Sequence, residues 1–113
     1  MTETESASTP TVAEVFALLA SEGQVPALRR TSGTFEFDFD DGASWFLALD
    51  HGTPSIQPRV DHPTCTVHCH AKDFVEIAEG KRNMVTAFFS GDVSCTGSLA
   101  FALTFRHLVP VAA

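Results

Sequence analysis

The chain has 113 residues, 44% of them apolar and 19% charged, and a formal charge of −7. That length supports one domain with a single core, and the acidic balance excludes the basic surface that nucleic acid or an anionic membrane requires. No apolar run approaches the roughly 18 residues of a membrane span, and three cysteines without a CxxC pair point to reduced thiols in a cytoplasm rather than a disulfide framework.

Met1 to Ser8 is acidic and polar, lacks the charged-then-apolar pattern of a secretory signal, and reads as a flexible tail ahead of a single domain over 9–113. Thr9-Pro10 has cap-then-proline chemistry. Val12, Val15, Phe16 and Leu19 then recur at helical spacing, giving an amphipathic helix that Glu22-Gly23 ends. Gln24 to Gly33 is a mixed connector, and its Arg29-Arg30 pair reads as solvated.

Thr34 to Asp40 alternates Phe35, Phe37 and Phe39 against Glu36, Asp38 and Asp40, the pattern of a half-buried strand. Asp41-Gly42 is a turn signal. Ser44 to Leu49 follows as the hairpin partner, apolar on both faces, as a strand covered on both sides would be. His51-Gly52-Thr53-Pro54 turns the chain again. Ile56 to Val60 predicts a short strand that Pro54 and Pro58 confine to an edge or a bulge.

Thr64 to His70 places Cys65, Val67 and Cys69 on one face and Thr66, His68 and His70 on the other. Asp73 and Glu76 sit early in the next helix, where the macrodipole favours anions. Phe74, Ile77 and Ala78 form its buried stripe, and Gly80 ends it. Asn83 caps a short apolar helix, Met84 to Phe89, stopped by Ser90-Gly91. A strand follows with Asp92, Ser94 and Thr96 on one face and Val93 and Cys95 on the other. Gly97-Ser98 opens a last helix with too little polar surface to stand uncovered. Hairpin-linked strands with helices grouped after them argue for an α+β sheet with helices on one main face.

Chemistry finds little footing in these residues. His68-x-His70 puts two imidazoles on one strand face with His62 upstream. A metal site needs a third ligand, and Cys65 and Cys69 point the other way, so a solvated polar face is the preferred reading. No GxSxG elbow or phosphate loop is present, and Cys95 reads as a small buried hydrophobe. No catalytic residue, metal or cofactor is therefore assigned. On the last helix Phe101, Phe105 and Leu108 share one face, while Leu99 and Leu103 stand on another. The first face suits the sheet; the second can pack on Phe88 and Phe89 or line a cavity.

The run from Cys65 to Leu108 resembles the sterol carrier protein 2 family. The matching positions are Cys65-Thr66, Asp73-Phe74 opening a helix, Gly80-Lys81 ending it, Asn83 with Ala87-Phe88-Phe89 and Gly91, then Gly97, Ala102 and Leu108. With the upstream strand pair that ends at Trp45, the likeness covers roughly Gly33 to Leu108 in order. It implies a five-stranded mixed sheet covered by about four to five helices, with an apolar tunnel beneath the C-terminal helix for a sterol, fatty acid or fatty acyl-CoA. Members bind or present lipid and do no chemistry themselves. Carried over by position, Trp45 faces the tunnel from the sheet, Phe88 and Phe89 from the preceding helix, and Leu99 and Leu103 from the last one.

The chain departs from the pattern at Met84, where the family has proline, and at Asp92 and Ser94, where it usually carries lysines. It ends Val111-Ala112-Ala113, without an SKL-type peroxisomal signal, so a stand-alone, bacterial-type cytoplasmic domain is expected. The implied partners are the apolar ligand and a protein that delivers or receives it, with neither nucleic acid nor stable membrane insertion. Two rivals are an interaction domain whose cavity phenylalanines fill, and an isomerase- or cyclase-type enzyme using His68 or His70 at the mouth.

Overall fold

Thr11 starts the first helix. Its hydroxyl accepts from the Glu14 amide at 3.1 Å, and its own amide donates to Glu14 Oε1 at 2.8 Å, a reciprocal cap. The computed structural model describes residues 11–109. The tail to Ser8, the cap at Thr9-Pro10 and the final Val111-Ala112-Ala113 lie outside those residues. Helix α1 (Val12–Ser21) buries Val15, Phe16 and Leu19, the stripe its spacing predicts. The connector expected to be irregular holds a 3₁₀ turn, Pro26–Leu28, that buries Leu28.

The strands β1 (Gly33–Phe39), β2 (Ser44–Asp50), β3 (Thr53–Gln57), β4 (Cys65–Cys69) and β5 (Val93–Gly97) form one sheet in the order β3-β2-β1-β4-β5. β1 pairs antiparallel with β2 and parallel with β4, and the remaining pairs are antiparallel. The sheet is therefore mixed, with the Phe-rich strand at its centre. β3 is an edge strand, which is where a strand containing Pro54 can sit without leaving a ladder bond unmade.

Register decides which side chains meet. Phe35 stands opposite Leu47 and Cys65, and Phe37 opposite Trp45 and Val67. The face carrying Phe35, Phe37, Phe39, Leu47, Leu49, Cys65, Val67, Cys69 and Val93 is buried. The other face carries Glu36, Asp38, Phe46, Ala48, Thr66 and His68, none of them buried. This corrects the expectation for β2: Phe46 and Ala48 lie on the face opposite the core and are only half-buried.

The helices α2 (Ala71–Ala78), α3 (Met84–Ser90) and α4 (Leu99–Leu103) complete the covered side. α2 buries Phe74, Val75, Ile77 and Ala78. Asn83 caps α3 through the Thr86 amide at 3.1 Å, and the helix starts at Met84 without the family's proline. Gly91, at φ 85°, ends it, a left-handed stop that glycine adopts without strain. Ser98 caps α4 through the Phe101 amide at 3.1 Å. The chain tightens into a 3₁₀ turn over Thr104–His107, so the single last helix of the sequence reading is two shorter pieces. Phe101, Phe105 and Leu108 all face inward as expected.

Aromatic rings fill the space between sheet and helices. Phe37 lies 5.4 Å from Phe16, 5.5 Å from Phe35, and 5.2 Å from both Phe74 and Phe105, between ring centroids. Phe101 lies over Phe35 at 4.5 Å. Such pairs add about 0.5–1.5 kcal/mol each beyond the burial of their area.

Candidate functional site

α3 precedes β5 in the chain and α4 follows it, and both pack against the sheet. α3 packs on β5, α4 on β4 and β5, and neither packs principally on the other. Cys95 is half-buried and, standing opposite Val67 in the ladder, points to the helical side. Four of the five residues the resemblance singles out lie on these two helices. Phe88 and Leu103 are half-buried, whereas Phe89 is 88% and Leu99 53% exposed. Phe89 precedes β5 and Leu99 follows it, so exposed apolar side chains bracket the edge strand.

Trp45 stands apart from them. β2 is three strand positions from β5, and the indole stacks on Phe16 of α1 at 4.7 Å. Two grooves open elsewhere on the surface. One, of about 440 Å³, runs between α1 and α2 over Val12, Ala71 and Val75; the other, of about 530 Å³, follows Val25, Pro26 and Leu108. Neither is lined by Trp45, Phe88, Phe89, Leu99 or Leu103.

The charged groups near β5 pair among themselves. Arg82 Nη1 donates to Asp73 Oδ1 at 2.8 Å, and Nη2 donates to Ser90 Oγ at 3.3 Å and to Asp92 Oδ2. The hydrogen bond from Arg82, helped by one from Ser90, holds the Asp92 carboxyl below its ordinary range. Sequence reasoning missed this cluster, because Arg82 stands eight to ten residues from its partners and no local spacing pattern links them.

His68 of β4 and His70, which follows it at the N-cap of α2, meet carboxylates. Parallel pairing sets Asp38 beside His68, with Nδ1 to Oδ2 at 3.8 Å, and His70 Nδ1 lies 2.7 Å from Asp40 Oδ2. The hydrogen bond that His70 donates to the Asp40 carboxylate raises the pKa of His70 and lowers that of Asp40. Among the described residues, no group of three or more His, Cys, Asp or Glu side chains is arranged to hold a metal ion. Burial pushes the Cys65 and Cys69 thiols up to about 12 and raises Cys95 as well. All three are therefore protonated thiols at neutral pH, which is the wrong form for a nucleophile. No helix among the described residues is long and apolar enough to cross a membrane.

A mixed five-stranded sheet with helices packed on its buried face defines an α+β domain, with large apolar side chains left exposed beside an edge strand. The model of the SCP-2 sterol transfer family matches residues 13–110, and the chain belongs to that family. It is 30% identical over 101 residues to sterol carrier protein 2 of Homo sapiens, covering 84% of this chain and 18% of that protein. The chain thus spans less than a fifth of the length of this curated relative. Among solved structures it resembles palmitated SCP2L2 from Aedes aegypti, with a TM-score of 0.67, 17% identity, and 88% of this chain and 94% of that one covered. It also resembles the sec-alkylsulfatase Pisa1 from Pseudomonas sp., with a TM-score of 0.77, 21% identity, and 92% of this chain and 17% of that one covered. Both likenesses concern the fold.

Proposed function

We propose that this domain binds an apolar ligand, a sterol, fatty acid or fatty acyl-CoA, and carries or presents it without chemistry of its own. The observation that carries the reading is the exposure of Phe89 and Leu99 on either side of β5, above half-buried Phe88 and Leu103. Large apolar side chains left in water are costly unless something covers them, at about 25 cal/mol per Å². A lipid entering between α3 and α4, over Cys95, covers them.

The rings beneath leave little free volume, so uptake works by separation of α3 and α4 as the ligand enters. An acyl chain that continued along the covered face toward Trp45 would cross three strand spacings, about 14 Å. Trp45 emission therefore reports how deep the ligand runs. The acidic surface favours a neutral or zwitterionic donor membrane, or a protein, over anionic lipid. Three free thiols fit a reducing cytoplasm.

The test is native mass spectrometry of the purified protein, followed by displacement of a fluorescent fatty acid from delipidated material. One lipid per chain and saturable displacement support the proposal; failure of displacement ends it. The dense ring packing favours a second reading, an interaction domain in which aromatic side chains occupy the tunnel. That reading gains if Phe89→Ser abolishes capture of a protein partner while no lipid is ever bound.

A further inference from the structure

α3 carries Phe88 and Phe89 but has little to hold it. It is seven residues long and buries only Met84 and Ala87, and a helix of two turns is not stable by itself. Beyond that packing and its contact with β5, its ends are what remain to fix its position. Arg82 precedes the N-cap Asn83, and Asp92 follows the C-cap Gly91. The Arg82 guanidinium joins them: Nη2 donates to Asp92 Oδ2 and to Ser90 Oγ, the last residue of the helix. Nη1 meanwhile donates to Asp73 Oδ1 at 2.8 Å, in the first turn of α2. Ser90 Oγ lies 3.0 Å from Asp92 Oδ2, which closes the cluster.

One side chain thus ties both ends of α3 to each other and to the neighbouring helix. The Arg82 and Asp73 side chains are only 24% and 15% exposed, so the pair is better shielded than an ordinary surface ion pair. The planar fork of arginine reaches partners on two sides at once; the ammonium of lysine is a point charge and cannot.

We infer that Arg82 is the positioning residue of the apolar site: by gripping Asp73, Ser90 and Asp92 together it sets α3, and with it Phe88 and Phe89, where the ligand meets them. The inference rests on the lipid-binding reading above. It does not make Arg82 a ligand contact. Its effect on affinity arises from the fraction of molecules in which α3 is correctly seated, since the apparent Kd rises as that fraction falls.

The experiment compares wild type, Arg82→Met, Arg82→Lys and Asp92→Asn by amide hydrogen exchange without ligand and by titration with cis-parinaric acid. Arg82→Met keeps the aliphatic stem and removes the donors. Exchange of the amides from Ala87 to Asp92 should approach the unprotected rate while those of β1 and β4 stay unchanged, and the Kd should rise about tenfold, the rise expected when α3 is seated in about a tenth of the molecules. Arg82→Lys should recover part of both effects. Should Arg82→Met fail to fold, Asp92→Asn, altered at a half-exposed carboxylate, gives the same two readouts. Unchanged α3 exchange overturns the inference. So does faster α3 exchange with an unaltered Kd, which would make the cluster merely structural. If wild type binds no parinaric acid, the lipid-binding reading fails and the positioning role with it, while the exchange data still show whether the clamp holds α3.

Discussion

The indole of Trp45 lies flat on the ring of Phe16, with centroids 4.7 Å apart and planes 3° from parallel. Phe16 in turn stacks on Phe74 at 5.1 Å, so one buried ring joins the sheet to α1 and α2. Phe16→Ala should cost about 3–5 kcal/mol, a large share of the roughly 5–15 kcal/mol that hold a domain of this size. Urea unfolding followed by Trp45 emission measures it. A loss below about 1 kcal/mol would mean that the stack is not part of the core.

Phe89 and Leu99 make the opposite prediction. Because both are exposed, Phe89→Ser and Leu99→Ser should leave stability within about 0.5 kcal/mol while raising the Kd for a fluorescent fatty acid about fivefold to tenfold each. Leu103→Asp, on the same helix face as Leu99, should abolish binding with circular dichroism unchanged. Equal affinity across all three variants would place the ligand elsewhere.

The thiols offer an independent readout. Cys65 and Cys69 are buried, with their pKa pushed up to about 12, and should resist iodoacetamide in the native protein. Cys95 is only half-buried and should be alkylated first, more slowly once a ligand sits between α3 and α4 as proposed. Mass spectrometry of the modified peptides, with and without palmitate, shows whether the protection occurs.

The Asp40–His70 pair sets a pH window. Folding lowers the Asp40 pKa from its ordinary 3.8 and raises that of His70 from its ordinary 6.5. The histidine's contribution is complete below its unfolded pKa and is lost as pH rises through the raised folded value. The carboxylate's contribution is present above its unfolded pKa and is lost as pH falls through the lowered one. The pair therefore stabilises the fold from about pH 4 to beyond 6.5. In Asp40→Asn, the NMR titration midpoint of His70 should move down; an unmoved midpoint would mean that the pair does not form in solution.

Gly52 is required by two things at once. The β2–β3 turn has His51 at φ 51° and Gly52 at φ 83°, the double left-handed turn that suits a two-residue hairpin. A Cβ on Gly52 would also lie 2.7 Å from the Leu28 carbonyl carbon and oxygen. Gly52→Ala should cost about 3 kcal/mol or more. Gly42→Ala, at φ 92° with nothing within 4 Å, should cost only about 1–2 kcal/mol of backbone strain. Thermal melts of the two variants test the difference.

The strongest sequence signals are local periodicities, although the strand expected over Ile56 to Val60 runs Thr53–Gln57 instead. The alternation of Phe35, Phe37 and Phe39 located the central strand, and the spacing of Phe101, Phe105 and Leu108 picked out the face of the last helix that packs inward. The resemblance supplied the family and the mixed sheet. What escaped depended on partners distant in sequence. β2 reads as apolar on both faces, but only the sheet order shows that Phe46 and Ala48 look outward. Trp45 reads as a companion of Phe88, but two strands, β1 and β4, lie between β2 and β5. The pairing of His68 with Asp38 follows from parallel register, which no local pattern encodes, and the ring packing that fills the interior depends on rotamers that sequence spacing does not fix.

The parallel pairing of β1 with β4 bears on how the protein is made. A ribosome delivers β1, β2 and β3 first, and that antiparallel meander can zip as it emerges. The side of β1 that awaits β4 then remains an unpaired edge, rich in phenylalanine, until Cys65–Cys69 has been synthesised. The central strand of the finished domain is thus one whose second edge is paired late. Glu36, Asp38 and Asp40, alternating with its rings, act as the gatekeepers that keep it in solution until its parallel neighbour arrives.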